Sequence, residues 1–408
     1  MHGSVSHKVR SLAVVAFASL LLISCPTSSV AQSLCASRLP ALPDPVSNNA
    51  VTSVDNGDGT FTLMSFMGLN GPSFQDITPA TYRMDWPGGS WARVADSPLL
   101  GNRSKIAANA ITVGNQVYLQ GGYSVRRIEE RTEDRFFRYD LDNDEFLELA
   151  PPPVPVDDTV SGVLDDRYIY LVSGWNGPTN NNVLTVQFYD TQTDTWELAT
   201  DLPGPNRGLF GHSGTIVGDR IVVFDGTMTG ADGFTISDAV MVGQIDPEGT
   251  GDLTNIAWET LAAHPGDPTY RAAVSSGAAL DGQLLLLGGT DNPFNFDGIG
   301  YNGQPSNPLD QAMLFDPDSQ EWTSIDVDGN VLPTMDHRGL VTVDGGFTTI
   351  GGMAGPGIVT DEVVFYSFDH TNCVPEPSTA VLSIMVAMSL LAFRKSRLER
   401  SLAPSLTQ

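Results

Sequence analysis

The stretch Asp281-Gly282-Gln283-Leu284-Leu285-Leu286-Leu287-Gly288-Gly289 decides the fold of this chain. It opens with an Asp-Gly pair of the kind that forms two-residue hairpin turns, continues as a short apolar strand and ends on two glycines. Glycine at a strand end lets another backbone approach closely. A strand this short cannot bury its leucines alone. Which fold it indicates therefore depends on whether the pattern recurs in the chain.

The pattern recurs six times. Apolar strands end in glycine at intervals of 54, 52, 52, 63 and 63 residues, at Gly68, Gly122, Gly174, Gly226, Gly289 and Gly352. A turn pair precedes each of these strands: Asp58-Gly59, Gly114-Asn115, Asp165-Asp166, Gly218-Asp219, Asp281-Gly282 and Asp344-Gly345. A third strand in each unit ends in Asp, at Asp85, Asp140, Asp190, Asp246, Asp316 and Asp369. An aromatic residue follows in five units, at Trp91, Phe146, Trp196, Trp258 and Trp322. Each unit therefore predicts a small antiparallel sheet.

Four antiparallel strands repeated six times predict an all-β, six-bladed β-propeller. The Gly pair, the Asp that ends the third strand and the Trp six positions later resemble the kelch motif, from about Leu34 to Cys373. The first Gly of the pair is replaced by Met67, Ser173 and Asp225 in three units. The resemblance implies that the paired glycines and the aromatic residues are structural.

The kelch resemblance also implies how the ring closes. The sixth unit has only three strands, and the stretch Leu34 to Pro43 is similar to the fourth strand of the other units. Kelch propellers commonly borrow a terminal strand for the last blade. That pairing would place Cys35 beside Cys373, and two cysteines so placed in an exported protein are expected to form a disulfide.

Both ends of the chain look like targeting signals. Lys8 and Arg10 precede an apolar run and the sequence Ser29-Val30-Ala31, which predicts a signal peptide over residues 1–31. A bacterial lipobox that ends at Cys25 is the alternative. At the other end, Val374-Pro375-Glu376-Pro377, an uncharged stretch at about 379–393 and a basic cluster resemble the PEP-CTERM sorting signal. The chain is thus divided into a signal peptide (1–31), the propeller (32–373) and a sorting or anchor segment (374–408).

The PEP-CTERM resemblance implies a location. In that family the apolar stretch is a transmembrane helix that anchors the protein in the inner membrane until an exosortase removes it. A permanent single-span anchor is the alternative. Either way the propeller is expected to be exported, to the cell surface or to an extracellular exopolysaccharide matrix.

The charge of the chain excludes one class of partner. It has 21 basic and 48 acidic residues, a formal net charge of −27. Nucleic-acid binding needs a basic surface that neutralises phosphates, so no nucleic-acid partner is expected. A glycan or a protein is expected instead.

One face of the propeller carries the long loops. In an up-and-down blade, the loops between strands two and three lie on the same side as the links between blades. The long segments 124–134, 175–182, 227–237, 290–309 and 353–360 all fall there, and recognition usually sits on such loops. The candidate binding residues near this face are Arg103, Arg207, Arg271, Arg338, His212 and His337. Guanidinium groups could hold a carboxylate or sulfate, or could instead bind neighbouring carbonyls as part of the framework.

No cofactor or metal site is predicted. Acidic runs such as Asp140-Leu141-Asp142-Asn143-Asp144 would make calcium the one candidate ion, but none continues as a twelve-residue calcium loop. Galactose oxidase, a kelch-like enzyme, needs a Cys-linked Tyr, and both cysteines of the propeller are assigned to ring closure. The sequence therefore predicts a non-catalytic binding protein with no catalytic residues. A carbohydrate-active enzyme, a sugar mutarotase or oxidase-like protein using the Arg and His residues, is the alternative.

Overall fold

The computed structural model describes residues 33–373 except 127–128, 205–207 and 231–232. The signal peptide, Cys25 and the segment from residue 374 onward, with its predicted transmembrane helix, lie outside the described residues, as does Arg207. Within the described part, no helix is long and apolar enough to cross a membrane. The regular structure there consists of strands and three single-turn 3-10 helices, at Phe74–Asp76, Gly177–Thr179 and Ala278–Leu280.

Six blades of four antiparallel strands form the predicted propeller, and blades 2 and 6 each have one additional strand. The first strand of the chain, β1 (Ser33–Arg38), belongs to the last blade. Blade 1 consists of β2 (Ala50–Asp55), β3 (Phe61–Leu69), β4 (Ile77–Trp86) and β5 (Ala92–Val94). Blade 2 consists of β6 (Ile106–Val113), β7 (Gln116–Arg126), β9 (Phe136–Asp140) and β10 (Glu145–Leu149), with β8 (Glu129–Thr132) paired to the end of β7. Blade 3 consists of β11 (Val160–Leu164), β12 (Tyr168–Asn176), β13 (Asn181–Asp190) and β14 (Thr195–Ala199).

The remaining blades follow the same order. Blade 4 consists of β15 (Ser213–Val217), β16 (Arg220–Phe224), β19 (Val240–Ile245) and β20 (Ile256–Leu261), with a separate hairpin of β17 (Thr227–Gly230) and β18 (Gly233–Ile236). Blade 5 consists of β21 (Ala273–Ser275), β22 (Leu284–Leu287), β23 (Ala312–Asp316) and β24 (Glu321–Ser324). Blade 6 consists of β26 (Val341–Val343), β27 (Gly346–Ile350), β30 (Val363–Ser367), β1 and β25 (Asp326–Asp328), with a small hairpin of β28 (Met353–Gly355) and β29 (Ile358–Val359).

The predicted closure of the ring is confirmed. Strand β1 pairs antiparallel with β30, with Cys35 opposite Ser367 and Arg38 opposite Val364. On its other side β1 pairs in parallel with β25, a fifth strand that the sequence pattern did not reveal. Cys35 and Cys373 form the expected disulfide, with their Cα atoms 5.9 Å apart.

The second glycine of each repeat is required by a close approach. At Gly226 the backbone has φ +81°, and an added Cβ would lie 2.6 Å from Cα and 2.8 Å from N of His212. At Gly122 the φ is +83°, and the Cβ would lie 2.7 Å from the carbonyl oxygen of Ile106. The second strand of each blade therefore ends against the chain that enters its first strand, and only glycine permits both the dihedral angle and the contact.

The repeated aromatic residues have a structural role, because they join neighbouring blades. Trp196 of blade 3 donates its indole N–H to the carbonyl of Ala150 at the end of blade 2, at 2.8 Å. Trp91 of blade 1 donates to the carbonyl of Pro40, at 2.9 Å, which follows the last strand of blade 6. Each indole thus packs, partly buried, against the neighbouring sheets and keeps its polar N–H satisfied.

The segment 124–134 differs from its prediction as a loop. It continues blade 2 as a strand pair, with Tyr123 opposite Thr132 and Arg126 opposite Glu129. The many charges of this segment suggested solvated, irregular backbone. The charges are tolerated in the strand pair because Glu129, Glu130 and Arg131 are all exposed, and only Thr132 of β8 is buried.

Candidate functional site

One residue at the entrance to each blade adopts left-handed backbone geometry. These six junction residues are Asn48, Ala107, Asp158, Gly211, Arg271 and Asp336, with φ between +48° and +70°. Most of them are linked in a ring around the axis by main-chain hydrogen bonds. The N–H of Asp158 donates to Ala107 at 3.4 Å, that of Gly211 to Asp158 at 2.9 Å, and that of Arg271 to Gly211 at 2.8 Å. The ring narrows the centre of the propeller at the end nearest the long loops.

Charged side chains fill the centre of this ring. Arg271 Nη2 lies 2.8 Å from Asp158 Oδ2, and its Nη1 lies 3.1 Å from Asp336 Oδ1. Arg338 makes the same two connections, at 2.8 Å to Asp158 Oδ1 and 3.2 Å to Asp336 Oδ1. Asn48 completes the group, because its amide donates to Asp336 and accepts from Arg338 Nη2. We call Asn48, Asp158, Arg271, Asp336 and Arg338 the axial charge cluster.

The axial charge cluster is buried and internally balanced. The side chains of Arg271 and Asp336 are 2% and 0% exposed, and two guanidinium groups face two carboxylates. Burial raises the pKa of Asp158, and the two arginines outweigh that effect and hold it below the usual value. Burial dominates at Asp336, whose pKa is raised. Ion pairs this deep contribute little net stability, but removing one partner leaves an uncompensated buried charge.

The structure separates the predicted arginines. Arg271 and Arg338 meet at the axis, whereas Arg103 is exposed and donates to the carbonyl of Val125 at 3.1 Å. Relative to the junction residue of its own blade, Arg103 stands four positions before Ala107, and Arg338 two positions after Asp336. The arginines therefore do not share one repeat position, although each lies near the start of a blade.

The two predicted histidines follow the junction residues and are neutral. Burial lowers the pKa of both His212 and His337 to about 4. His212 Nε2 lies 2.8 Å from the carbonyl oxygen of Val172, so this nitrogen carries the proton. His337 Nε2 lies 2.9 Å from Thr334 Oγ1. Both rings are thus fixed in the framework, and His212 Nδ1 remains without a hydrogen-bond partner.

The long loops cover the axial charge cluster from one side. Asn295, in the loop of blade 5, accepts from Arg271 Nη1 through its carbonyl at 2.9 Å, and its side chain bonds Tyr123 and Glu130 of blade 2. In the same loop, Phe294 packs over the Arg271 guanidinium, with 5.1 Å from Cζ to the ring centroid. The loop of blade 5 therefore crosses the axis and buries the predicted arginine sites beneath it.

Aromatic contacts hold this cover together. The ring centroids of Tyr301 and Phe234 are 4.2 Å apart, and those of Phe74 and Phe296 are 3.6 Å apart. Residues 290–309 thereby contact blades 1 and 4 as well as blade 2, and Gly357 of blade 6 donates its N–H to Asp297 at 2.8 Å. We call this face, formed by the loops that follow the second strands, the loop cap.

In blade 4 an aspartate, Asp225, occupies the position of the first glycine, and its carboxylate forms a buried hydrogen-bond network. Asp225 stands where other units have the first Gly, with φ +60°. Its Oδ2 accepts from His264 Nε2 at 2.8 Å and from both the N–H and Oγ1 of Thr269 at 2.7 Å. This buried network ties blade 4 to the link that leads into blade 5, which explains why the departure from the Gly pair is tolerated.

Sequence reasoning missed Asp158, Asp336 and Asn48. A shared repeat position could have revealed two of them. Asn48 and Asp158 each stand two residues before the first strand of a blade, the same offset as Arg271.

Within the described residues, no group of three or more His, Cys, Asp and Glu side chains is arranged to hold a metal ion. The acidic residues of the turns instead bond their own backbone; Asp140, for example, accepts from the N–H of Asp142 at 2.9 Å.

Comparison with known proteins supports the fold. No protein-family model matches this chain. A kelch repeat-containing protein of Dictyostelium discoideum is 36% identical over 90 residues, which are 21% of this chain and 13% of that protein. The solved structure of YjhT aligns with a TM-score of 0.62 at 16% identity, over 81% of this chain and 97% of that one. The chain is thus an all-β, six-bladed propeller, and 90 of its residues are similar to a kelch repeat-containing protein.

Proposed function

We propose that this protein is an exported, non-catalytic propeller that binds a partner protein through its loop cap, at the cell surface or in an exopolysaccharide matrix. Export rests on the two terminal signals described above, and processing by an exosortase-type enzyme belongs to the same proposal. The binding role rests on the surface of the loop cap.

Exposed apolar side chains on the loop cap carry the proposal. Met228, Ile299, Tyr301 and Ile358 are 37%, 42%, 41% and 59% exposed. They belong to three different blades, and the loops that bear them are in contact, since Tyr301 stacks on Phe234 and Gly298 packs on Pro356. Apolar surface gathered on one rigid face marks an interaction site, whereas scattered exposed residues do not.

The position of the chain ends fits the same role. Ser33 starts β1 and Cys373 follows β30, and the antiparallel pairing of these strands places both residues at the face opposite the loop cap. A segment that anchors the protein from residue 374 onward would therefore leave the loop cap directed away from the membrane. This geometry favours display of the loop cap to an external partner.

The alternative of a carbohydrate-active enzyme has less support. Arg271, Arg338, His212 and His337 do converge on one channel, as an active site would require. However, the arginines are paired with Asp158 and Asp336, and the histidines are neutral and bonded to the framework. These contacts support the framework interpretation, in which the four side chains hold the blades together.

A paired substitution tests the proposed function. The variant Ile299→Ser/Tyr301→Ser removes apolar surface from the loop cap, and Leu147→Ser/Leu198→Ser removes it from exposed positions on outer strands. The measurement is the fraction of fluorescently labelled protein retained by washed cells of the producing organism. We expect loss of retention for the loop-cap variant only. Equal retention of both variants would overturn the proposal, and loss after periodate but not protease treatment of the cells would assign a glycan as the partner.

Intact mass tests the export part separately. The exported protein is expected to start near Gln32 and to end near the Pro-Glu-Pro segment. A retained tail would make it a permanently anchored protein, and a lipid mass on Cys25 would replace the signal-peptide cut by lipidation.

A further inference from the structure

The exposed apolar side chains of the loop cap lie in one half of the propeller. Met228 belongs to the hairpin of blade 4, Ile299 and Tyr301 to the loop of blade 5, and Ile358 to the hairpin of blade 6. In the described parts of the corresponding loops of blades 1 to 3, no large hydrophobic side chain is exposed. An apolar partner surface would therefore meet the loop cap over blades 4 to 6.

Contacts between the three loops join these side chains into one surface. The Tyr301 ring of blade 5 packs on Phe234, in the hairpin that carries Met228. On the other side, Gly357 donates its N–H to the carbonyl of Asp297 at 2.8 Å, which holds the loop of blade 5 against the hairpin of blade 6. An apolar patch that spans several packed segments is typical of an interaction site.

The loops in this half of the propeller carry no positive charge. Residues 33–204 contain 23 acidic side chains and 11 Lys or Arg, whereas residues 208–373 contain 23 acidic side chains and only three Arg. Two of these three, Arg271 and Arg338, are buried and paired in the axial charge cluster. The third, Arg220, begins the second strand of blade 4, at the face opposite the loop cap. The loops that follow the second strands of blades 4 to 6 therefore contain carboxylates but no Lys or Arg.

Some of these carboxylates are free to meet a partner. Asp238, Asp291 and Asp361 lie in the loops of blades 4, 5 and 6, are exposed, and form no ion pair with a residue that the structure describes. Asp297 accepts the N–H of Ile299 at 3.0 Å, which fixes its carboxylate beside the apolar patch. Complementary charges attract across an interface and like charges repel. The patch therefore favours a partner that brings apolar side chains and positive charge, and it disfavours a second copy of this chain, which would bring the same carboxylates.

We propose that the partner protein docks on the loop cap over blades 4 to 6, through a segment that combines apolar side chains with lysine or arginine. This inference rests on the proposed function and names the chemistry of its partner. Burial of apolar side chains against the patch supplies affinity. The carboxylates speed association and reject acidic partners.

Three short synthetic peptides test this chemistry. One consists of leucine and lysine, the second has glutamate in place of lysine, and the third has serine in place of leucine. Fluorescence anisotropy measures their binding to the purified exported protein. We expect the leucine–lysine peptide to bind at least about tenfold more tightly than either of the others. Its binding should weaken from about 0.1 M to about 1 M salt, because the screening length falls from about 10 Å to about 3 Å. Equal binding of the glutamate peptide would overturn the proposal.

Matched charge variants locate the site. The test variant neutralises carboxylates of the loop cap: Asp291→Asn/Asp297→Asn/Asp361→Asn. The control neutralises the same number of exposed carboxylates in turns of the opposite face: Asp142→Asn/Glu248→Gln/Asp344→Asn. We expect the test variant to bind the leucine–lysine peptide at least about fivefold more weakly than the unmodified protein, and the control less than about twofold more weakly. Equal weakening would show that net charge alone attracts the peptide and would contradict the proposal.

The retention assay on washed cells separates this inference from the proposed function. Loss of retention in both the test variant and Ile299→Ser/Tyr301→Ser, with the control retained, would support both. If the test variant is retained like the unmodified protein while Ile299→Ser/Tyr301→Ser is lost, the apolar patch acts without the carboxylates. That result would overturn the inference and leave the proposed function standing.

Discussion

Blade 3 and blade 6 are built from the same strand order but are assembled differently. In blade 3, β11 to β14 come from one continuous segment, and short turns join them. In blade 6, β30 is hydrogen-bonded to β1 from the other end of the chain, and Cys35 and Cys373 are 338 residues apart in sequence. The entropy of closing a loop rises with its length, so the same sheet costs more to form in blade 6 than in blade 3.

Additional contacts offset that cost in blade 6. The disulfide crosses the pairing of β1 with β30, and β25 adds a parallel partner on the outer side of β1. At the axis, Asn48 and Arg338 connect blade 1 to blade 6 through side chains, where other junctions use main-chain hydrogen bonds. The comparison teaches that local repeats build the individual blades, and that long-range contacts specific to one blade close the ring.

The largest effect should come from the disulfide. In Cys35→Ser/Cys373→Ser the unfolded chain is no longer closed into a loop, so the free energy of unfolding should fall by an amount on the order of 5 kcal/mol, an upper value. Equilibrium unfolding in guanidinium chloride measures it, with the unmodified protein under reducing conditions as the control. A loss below about 1 kcal/mol would mean that β1 is held in blade 6 by its strand pairing alone.

The axial charge cluster should give the next largest effect. Arg338→Met leaves Asp158 and Asp336 with one cation instead of two, and breaking a buried pair costs about 3–5 kcal/mol. Arg103→Met, at an exposed arginine that bonds one carbonyl, is the matched control and should cost less than about 1 kcal/mol. The same unfolding titration compares the two variants. Equal losses would show that the axial contacts add nothing to ring closure.

A pair of glycine substitutions sharpens the role of the repeat itself. Gly226 and Gly218 both have positive φ, but a Cβ at Gly226 would meet the His212 backbone, whereas nothing lies within 4 Å at Gly218. Gly218→Ala should cost about 1–2 kcal/mol for its backbone geometry, and Gly226→Ala should cost more by about 1–3 kcal/mol of overpacking. Thermal unfolding of both variants measures the difference. Similar losses would mean that the strand end can move away from His212.

The fourth effect concerns pH. The folded pKa of His212 is about 4, below the ordinary value of 6.5, so acidification protonates this residue in the unfolded chain first and destabilises the fold between these two values. The limiting slope is about 1.4 kcal/mol per pH unit for one histidine. Burial and the Asp158 charge raise the pKa of Asp157, which acts in the opposite direction.

Substitution of His212 isolates its contribution to the pH dependence of the unfolding free energy. His212→Gln should reduce the loss of unfolding free energy on acidification between pH 6.5 and about 4, measured by urea unfolding at several pH values. His370→Gln, which removes a histidine at an exposed position, is the matched control. An unchanged slope in His212→Gln would show that the ring is solvated in the folded protein.

Sequence patterns predicted the parts of the molecule that repeat. The turn pairs, the apolar strands and the second glycines recur in each unit, so the strand order and the number of blades followed from them. The tryptophans that join blades and the borrowed strand with its disulfide followed as well. The fifth strand β25 and the strand pair in residues 124–134 did not, because they occur in single blades and have no repeat to reveal them.

The candidate sites were only partly predictable, for a reason of geometry. Arg271, Arg338, His212 and His337 were predicted near the long-loop face together with Arg103, and in the structure these four line the central channel whereas Arg103 does not. Their partners Asp158 and Asp336 are 113 and 65 residues away from Arg271 in the chain. Pairing across the axis depends on side-chain distances that no local pattern encodes.

The sequence by itself therefore determined six repeated blades, because hairpin turns, strand periodicity and close-packed glycines are local requirements. Tertiary structure alone decided that the loop of blade 5 crosses the axis and buries the arginines beneath the loop cap. Access to the axis depends on which loops of different blades meet in space, and no local pattern encodes those contacts.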